Sequence, residues 1–450
     1  MILRLRAPQW RPFVESLCAR RDLETAGIIL AERLQGGNVL LGRHLIRVPE
    51  DGYQIRRINQ LRIDPVAINR LVRPAREAGL SVITVHTHPQ TDRPWFSMAD
   101  DDGDSRLMPS LFAQMPGPHG SLVVAGESRI PTARVWSESG QMPKIDVHVV
   151  GKMLEIFPAM SNGGSEEAWF DRQRLVLGSS GQALLRKLHV AVVGLGGTGS
   201  VVFAQLVHLG VGQITVIDGD RVDPSNLSRI LGAAHDDVGV TWKVDVAARY
   251  ARRLGIGTRV RVIRAHLGAE SMAEIADRDV VFSCVDKHSP RALLNRLAYA
   301  KAIPIIDMGS AFRVDDSGRI VAGAGRVVLA GPERRCLACW GHIDADRLRV
   351  ESLSPADRAR HAAEGYIQGA DVPQPSVIAF NTMIAGSAVV EFVRLVTGFA
   401  GSDDPPNRLS FDFIRGTVSR NSLAGGCLCS ICEADTLDRD RIDGHRASAS

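Results

Sequence analysis

At 450 residues the chain is long enough for two or three domains, each with its own core. A hydrophobic share of 45% and a charged share of 23% are those of an ordinary globular protein. The 54 basic residues nearly balance 50 acidic ones, so the net charge of +4 argues against nucleic acid or an anionic membrane as partner. The opening MILRLRAPQWRPFVESL has no continuous apolar core or small-residue cleavage site, and we read no signal peptide. Apolar runs are interrupted by Gly, His or charge before about 18 residues, so no transmembrane helix is expected. A cytoplasmic location follows by default.

In chain order, a short helix is expected at Phe13–Ala19, then strands after Glu24 and at Asn38–Arg43. A helix with apolar periodicity covers Pro65–Ala78, and Leu80–Val85 is an apolar strand. That strand runs into His86-Thr-His88-Pro89, followed by Ser97-Met-Ala-Asp100; a helix near Arg106–Gln114 and strands at His119–Ala125 and Ala133–Trp136 complete the unit. The H-x-H-P…S-x-x-D pattern, with Glu24 in E-x-x-G-I-I-L upstream, resembles the JAMM (MPN) zinc metalloproteases. Side chains alternate along a strand, so His86 and His88 share a side. The resemblance implies that His86, His88 and Asp100 ligate a catalytic zinc, that Glu24 is the general base and that Ser97 donates to the developing oxyanion. Eleven residues separate His88 from Asp100, one more than that family's usual spacing, and the extra residue is expected to loop out within 90–96.

A Gly/Ser-rich linker is expected across 156–166, separating a metalloprotease-like α/β domain at 1–155 from a second domain at 167–436. The second domain is organised around Leu188–Arg229. An apolar strand leads into Gly194-Leu195-Gly196-Gly197-Thr198-Gly199, a helix, and a second strand that ends at Asp218 and Asp220. Such a strand–glycine turn–helix–strand unit makes a half-site for a nucleotide: Gly194 for the turn, Gly196 for close approach of phosphate, Gly199 for packing. Free N–H groups at the following helix N-terminus suit phosphate oxygens.

Asp218-Gly-Asp220…Asn226-Leu-Ser-Arg229 resembles the D-x-D…N-L-x-R signature of the ubiquitin-activating-type (ThiF/MoeB-like) adenylyltransferases, over about Phe170–Cys432. Arg172, Lys243 and Asp286 in Cys284-Val-Asp286 match further positions of that family. The resemblance implies a Rossmann-like doubly wound fold that binds ATP and Mg²⁺. Arg172, Arg229 and Lys243 would surround the triphosphate, with Arg172 reaching a second copy in a homodimer. Asp286 would hold Mg²⁺, and Asp220 or Asp218 the ribose. Taken singly, Arg229 and Lys243 would read as solvated surface charges. Beyond the glycine unit, a helix is expected at Val244–Leu254, and strands at Val260–Ile263, Val280–Cys284 and Ile303–Ile306. A long apolar helix follows at Ser376–Leu395, then a strand pair at Leu409–Val418.

Cys336-Leu-Ala-Cys339 and Cys429-Ser-Ile-Cys432 suit a closed tetrahedral zinc site, a second zinc of structural kind. Cys427 is an alternative ligand; Cys18 and Cys284 read as small core residues. The tail 437–450 is charged, rich in small residues and expected to be disordered. Residues 340–375 contain no cysteine, so no internal thioester is expected. Together the resemblances imply a bifunctional enzyme that adenylates the terminal glycine of a ubiquitin-like protein ending in Gly-Gly and cleaves amide bonds after it. A sulfur-carrier activating enzyme of cofactor biosynthesis is the alternative. The acceptor would be a ubiquitin-conjugating-type enzyme in the first case and a sulfurtransferase in the second.

Overall fold

A computed structural model describes the chain except residues 138–139, 160–166, 355, 359, 361–374, 400, 402–405, 423–428 and 433–450. The expected linker at 156–166 begins inside a described strand, Leu154–Phe157, which pairs with the strand before it; residues 160–166, the tail and Cys427 lie outside the described residues. Two compact units emerge, within Met1–Asn162 and Gly163–Asp438.

The first unit runs β1 (Ile2–Arg6), α1 (Ala7–Leu17), β2 (Ala26–Arg33), β3 (Val39–Arg47), β4 (Tyr53–Arg57), β5 (Gln60–Ile63), α2 (Pro65–Ala78) and β6 (Ser81–His88). It continues with α3 (Met98–Phe112), β7 (His119–Ala125), β8 (Pro131–Ser137), β9 (Gly140–Val150) and β10 (Leu154–Phe157). Eight strands form one sheet in the order β1-β3-β2-β6-β7-β8-β9-β10, which closes on itself through β1 and β9. Its two faces bury separate cores, one under α1 around Phe13, Leu17 and Ile29, the other under α2 and α3 around Val72, Met108 and Leu111. Helix α1 begins earlier than its periodicity suggested, at Ala7, because Pro8 suits the first turn of a helix. Helix α3 begins at Met98 and not near Arg106. A capping box between Ser97 and Asp100 starts it, through an acidic stretch with no apolar period to reveal it.

The second unit runs α4 (Asp171–Lys187), β11 (His189–Val193), α5 (Gly197–His208), β12 (Gln213–Ile217), α6 (Lys243–Leu254), β13 (Arg259–Ile263), α7 (Ala269–Ala273) and β14 (Val280–Ser283). It continues with α8 (His288–Ala300), β15 (Ile305–Val314), β16 (Ile320–Ala330), α9 (Ala345–Ser352), α10 (Ile378–Thr397), β17 (Arg408–Asp412) and β18 (Thr417–Asn421). The sheet order β13-β12-β11-β14-β15-β16-β17-β18 is a parallel, doubly wound half extended by antiparallel strands. Strand order reverses between β11 and β14, and it is at the carboxyl ends beside such a reversal that open α/β sheets bind ligands. Helix α10 is long and apolar enough to cross a membrane by composition. Here Ile384, Ala388, Phe392 and Leu395 are buried, and the helix packs on α5 and β15.

Candidate metal and nucleotide sites

In the first unit, β6 delivers His86 and His88 at its carboxyl end and the first turn of α3 delivers Asp100. His86 Nε2 lies 3.3 Å from His88 Nε2 and 2.9 Å from Asp100 Oδ1, and His88 Nε2 lies 3.7 Å from Asp100 Oδ2. Donors around a tetrahedral zinc stand ~3.3 Å apart at ordinary Zn–N and Zn–O lengths, so this set fits the ion. The longer His88–Asp100 connection is thus absorbed without displacing Asp100. Burial opposes ionisation of Asp100, but hydrogen bonds and charge from His86 and His88 outweigh it and hold the carboxyl below its usual range. The same carboxylate accepts the Ser97 N–H at 2.6 Å and its hydroxyl at 2.8 Å, so Ser97 aims at Asp100 as well as capping the helix. Trp95 meets His88 edge-on, with ring centroids 5.0 Å apart.

Glu24 is buried at the entrance to β2. Burial raises its carboxyl to about 7, against the pull of His86 and His88. A base poised near neutral suits proton transfer, and a dication beside it would lower that value further. Two arginines that escaped the sequence reading build this site. Arg56 on β4 donates to the Glu24 carbonyl at 3.0 Å and to Thr25 Oγ1 at 2.8 Å. Arg134 on β8, itself buried, bonds the buried Asp104 at 2.7 Å and pairs with Asp101, both on α3, while its guanidinium stacks 4.0 Å over Phe96. No motif pointed to either residue. The arginine at 134 sits between apolar Ala133 and Val135 in a strand, which is the one signal it gave.

In the second unit, β11 ends in the glycine turn. Gly194 has φ +89°, and a Cβ there would approach the Cys284 carbonyl to 2.6 Å; a Cβ at Gly199 would overlap the Gly194 oxygen. At Gly196 a Cβ would meet open space, and Gly196 caps α5 without any side-chain bond. The first amides of α5 therefore keep their N–H groups for a ligand. Arg229 lies along Gly197, its Nη1 donating to the Ser225 carbonyl at 2.5 Å. Lys243, at the start of α6, pairs with Asp220 at 2.8 Å and stands 4.0 Å from Asp218.

The two acids separate in role. Asp218 is buried and spent on the backbone, accepting the Leu195 N–H at 2.7 Å and the Asp220 N–H at 2.8 Å, so it shapes the glycine turn. Burial pushes Asp218 up while Lys243 and those amides pull it down. Asp220 keeps a half-exposed carboxylate, and of the two it is the one left for a ligand hydroxyl. Asn226 is likewise occupied: its Oδ1 accepts the Asp223 N–H at 3.2 Å in a buried cap, so it holds the loop that carries Arg229. Asp286 and Arg172 are exposed, after β14 and at the start of α4. Asn381, a polar residue buried in the apolar helix α10, reaches Gly197 and went unnoticed in the sequence.

The four cysteines meet, with Sγ separations of 3.5 Å (Cys336–Cys339) and 3.6 Å (Cys336–Cys429 and Cys339–Cys432). Thiolates around tetrahedral zinc stand ~3.8 Å apart, so the set fits a closed site. A hydrogen bond from Cys432 lowers the Cys336 thiol, favouring the thiolate that binds metal. Cys18 is buried in the core under α1, and burial pushes the Cys284 thiol up.

A doubly wound sheet with an uncapped glycine-turn helix and cations beside it defines a nucleotide-handling enzyme fold. The chain belongs to the ThiF family, whose profile matches residues 170–429; residues 6–138 match the prokaryotic homologs of the JAB domain. Among curated proteins, the adenylyltransferase and sulfurtransferase uba4 of Aspergillus fumigatus is 30% identical over 276 residues, 59% of this chain and 51% of its own. The SAMP-activating enzyme E1 of Haloferax volcanii is 34% identical over 162 residues, 36% of this chain and 57% of its own. The chain thus spans about half the length of the curated relatives it matches. E. coli MccB solved with ATP aligns over 60% of this chain and 76% of its own at 18% identity, with a TM-score of 0.46.

Proposed function

We propose that the second unit adenylates the C-terminal glycine of a ubiquitin-like or sulfur-carrier protein ending in Gly-Gly, and that the first hydrolyses the amide bond following that glycine. The observation that carries the reading is the uncapped N-terminus of α5 flanked by Arg229 and the Asp220–Lys243 pair. The carboxylate oxygen attacks the α-phosphorus of ATP, the bond to the β-phosphate oxygen breaks, and pyrophosphate leaves. Two anions must be brought together, so cations and oriented amides do most of the work. Asp220 would hold the ribose hydroxyls and Asp286 a Mg²⁺. In the first unit, His86, His88 and Asp100 would hold zinc, which when bound lowers the pKa of water. Glu24 takes the proton and passes it to the leaving amine; the Ser97 hydroxyl, expected to donate to the oxyanion, instead donates to Asp100 and holds that ligand in place. Residues 340–375 hold no cysteine, so the adenylate passes directly to an outside acceptor.

The test is exchange of labelled pyrophosphate into ATP in the presence of a Gly-Gly carrier, beside cleavage of the same carrier extended past its last glycine. His88→Ala should abolish cleavage and spare exchange, and Asp286→Ala should do the reverse. No exchange with any Gly-Gly carrier would end the adenylation reading, and loss of both activities in either variant would end the division of labour. A sulfur-transfer role is the second reading, favoured by the sulfurtransferase half of the uba4 name. A conjugating-type enzyme recovered with the carrier supports the first reading, a sulfurtransferase the second.

Arg172 is exposed one helical turn from Leu175 and Val176, which are 83% and 80% exposed, an arrangement that supports a homodimer through α4. Arg172→Ala and Asp286→Ala, each inactive alone, should then recover exchange when mixed; no recovery would place Arg172 outside a second copy's site. The cytoplasm suits the pairs of CxxC cysteines.

A further inference from the structure

The antiparallel half of the second sheet carries a cationic cluster that neither proposed site uses. Register places Asp307, Val328 and Arg408 side by side across β15, β16 and β17, and Gly309, Arg326 and Ser410 in the next row on the same face. The segment after Cys336 covers this face: Leu337 packs with Val328 and Ala330, joined by Trp340 and Ile343. The Arg408 guanidinium lies 5.3 Å from the centre of the Trp340 ring. From α8, Arg291 donates to Asp307 at 3.0 Å and to the Val285 carbonyl at 2.8 Å; Arg326 reaches the other Asp307 oxygen at 3.2 Å.

Two observations set the cluster apart from an ordinary buried ion network. Arg326 Nε, Arg408 Nε, Trp340 Nε1 and His342 Nε2 are all shut off from solvent and find no hydrogen-bond partner among the described residues. The first three are N–H groups that can only donate, and a neutral histidine can present Nε2–H as a fourth. Buried donors of this kind are nearly always satisfied in folded proteins. Charge is the second. The largest charges acting on His342 are Arg326, Asp307, Arg408 and Arg291, and the largest acting on Arg326 are Asp307, Arg291 and Arg408. Among the described residues, three guanidiniums face one carboxylate, two positive charges in excess. Burial, followed by the charge of Arg326, keeps His342 neutral at about 3, so the histidine adds a donor and no further charge.

We propose that Arg326, Arg408, Trp340 and His342 bind a small dianionic oxyanion of the phosphate class. A dianion matches the surplus of two charges, and its oxygens supply acceptors for the unmatched N–H groups. Arg291 and Asp307 form the floor, Asp307 spacing Arg291 from Arg326. The glycine turn follows β11, two strands away from β15, so this site is separate from the one at α5 and does not depend on the adenylation reading.

Calorimetric titration of the full chain with inorganic phosphate, in nucleotide-free buffer at neutral pH, tests it. One phosphate per chain should bind saturably. Arg408→Gln should weaken binding at least tenfold, and Trp340→Phe, which keeps the ring and removes one N–H, several-fold. Arg229→Gln, at the glycine turn, should leave this binding in place, and sulfate should compete with phosphate where acetate does not. Absence of saturable binding, binding indifferent to Trp340→Phe, or binding lost on Arg229→Gln would overturn the site; equal competition by acetate would overturn its dianion preference. If Arg408→Gln does not fold, Trp340→Phe decides alone.

Discussion

Gly196 and Gly199 stand three residues apart in one turn, yet they answer different demands. At Gly199 a methyl group would collide with the Gly194 carbonyl, whereas at Gly196 it would meet open space. Gly199→Ala should therefore destabilise the second unit by about 1–3 kcal/mol in urea unfolding, the cost of overpacking. Gly196→Ala should leave that stability within about 0.5 kcal/mol and weaken ATP binding, which equilibrium titration would report. Equal stability of the two variants would contradict this division. Glu24 belongs to the same scale: Glu24→Gln should cut hydrolysis about 10²–10⁴-fold, the usual worth of a general base. Zinc content should stay at the wild-type level, because Glu24 is not among the converging donors. Loss of zinc in that variant would recast Glu24 as a ligand.

Helix α3 shows how an element positions a site. Its capping box turns Asp100 toward His86, and Arg134 ties its second turn to β7 and β8 through Asp104 and Ser121. Arg134→Ala would leave the buried Asp104 without its guanidinium, a change that costs about 3–5 kcal/mol when one partner of a buried pair is removed. The same variant should release zinc more readily to a chelator, since the helix that presents Asp100 would lose its anchor; unchanged zinc retention would mean that the capping box alone holds Asp100. The sequence was legible here only at the box. Ser97-x-x-Asp100 appears in the letters, but Arg134 lies 34 residues from Asp100, and only the pairing of β7 with β8 brings it beside α3. Arg56 escaped for the same reason, since it acts on the Glu24 carbonyl from across a hairpin.

At the scale of the whole molecule, buried neutral histidines should govern its response to acid. His189 accepts or donates at Thr215 Oγ1 at 2.9 Å, and burial, followed by the charge of Arg278, lowers it from 6.5 to about 4. The unfolded chain then takes up a proton at a higher pH than the folded one. The resulting stability is complete above pH 6.5 and is lost as pH falls toward 4. Chemical unfolding across that window should show the second unit weakening with acid, and His189→Gln, which cannot titrate, should flatten the slope. A slope unchanged in His189→Gln would assign the effect elsewhere. Metal analysis of the purified chain should find two zinc ions, one for each converging donor set; a single ion would remove one of the sites.

Local chemistry was enough for the parts that depend on neighbours in sequence. The glycine turn, the alternation that turns His86 and His88 to one side, the two CxxC pairs and the division into two units are all written in short stretches, because turns, strand alternation and ligand spacing are short-range constraints. Tertiary structure alone decided that Asp218 is consumed by the Leu195 amide while Asp220 stays available, and that Asp100 still reaches His86 across the longer connection. It also gathered Arg291, Arg326, Arg408, Trp340 and His342 around Asp307 from a helix, two strands and a loop. Such groupings arise from sheet register and burial, which join residues tens of positions apart and leave no periodic trace in the chain.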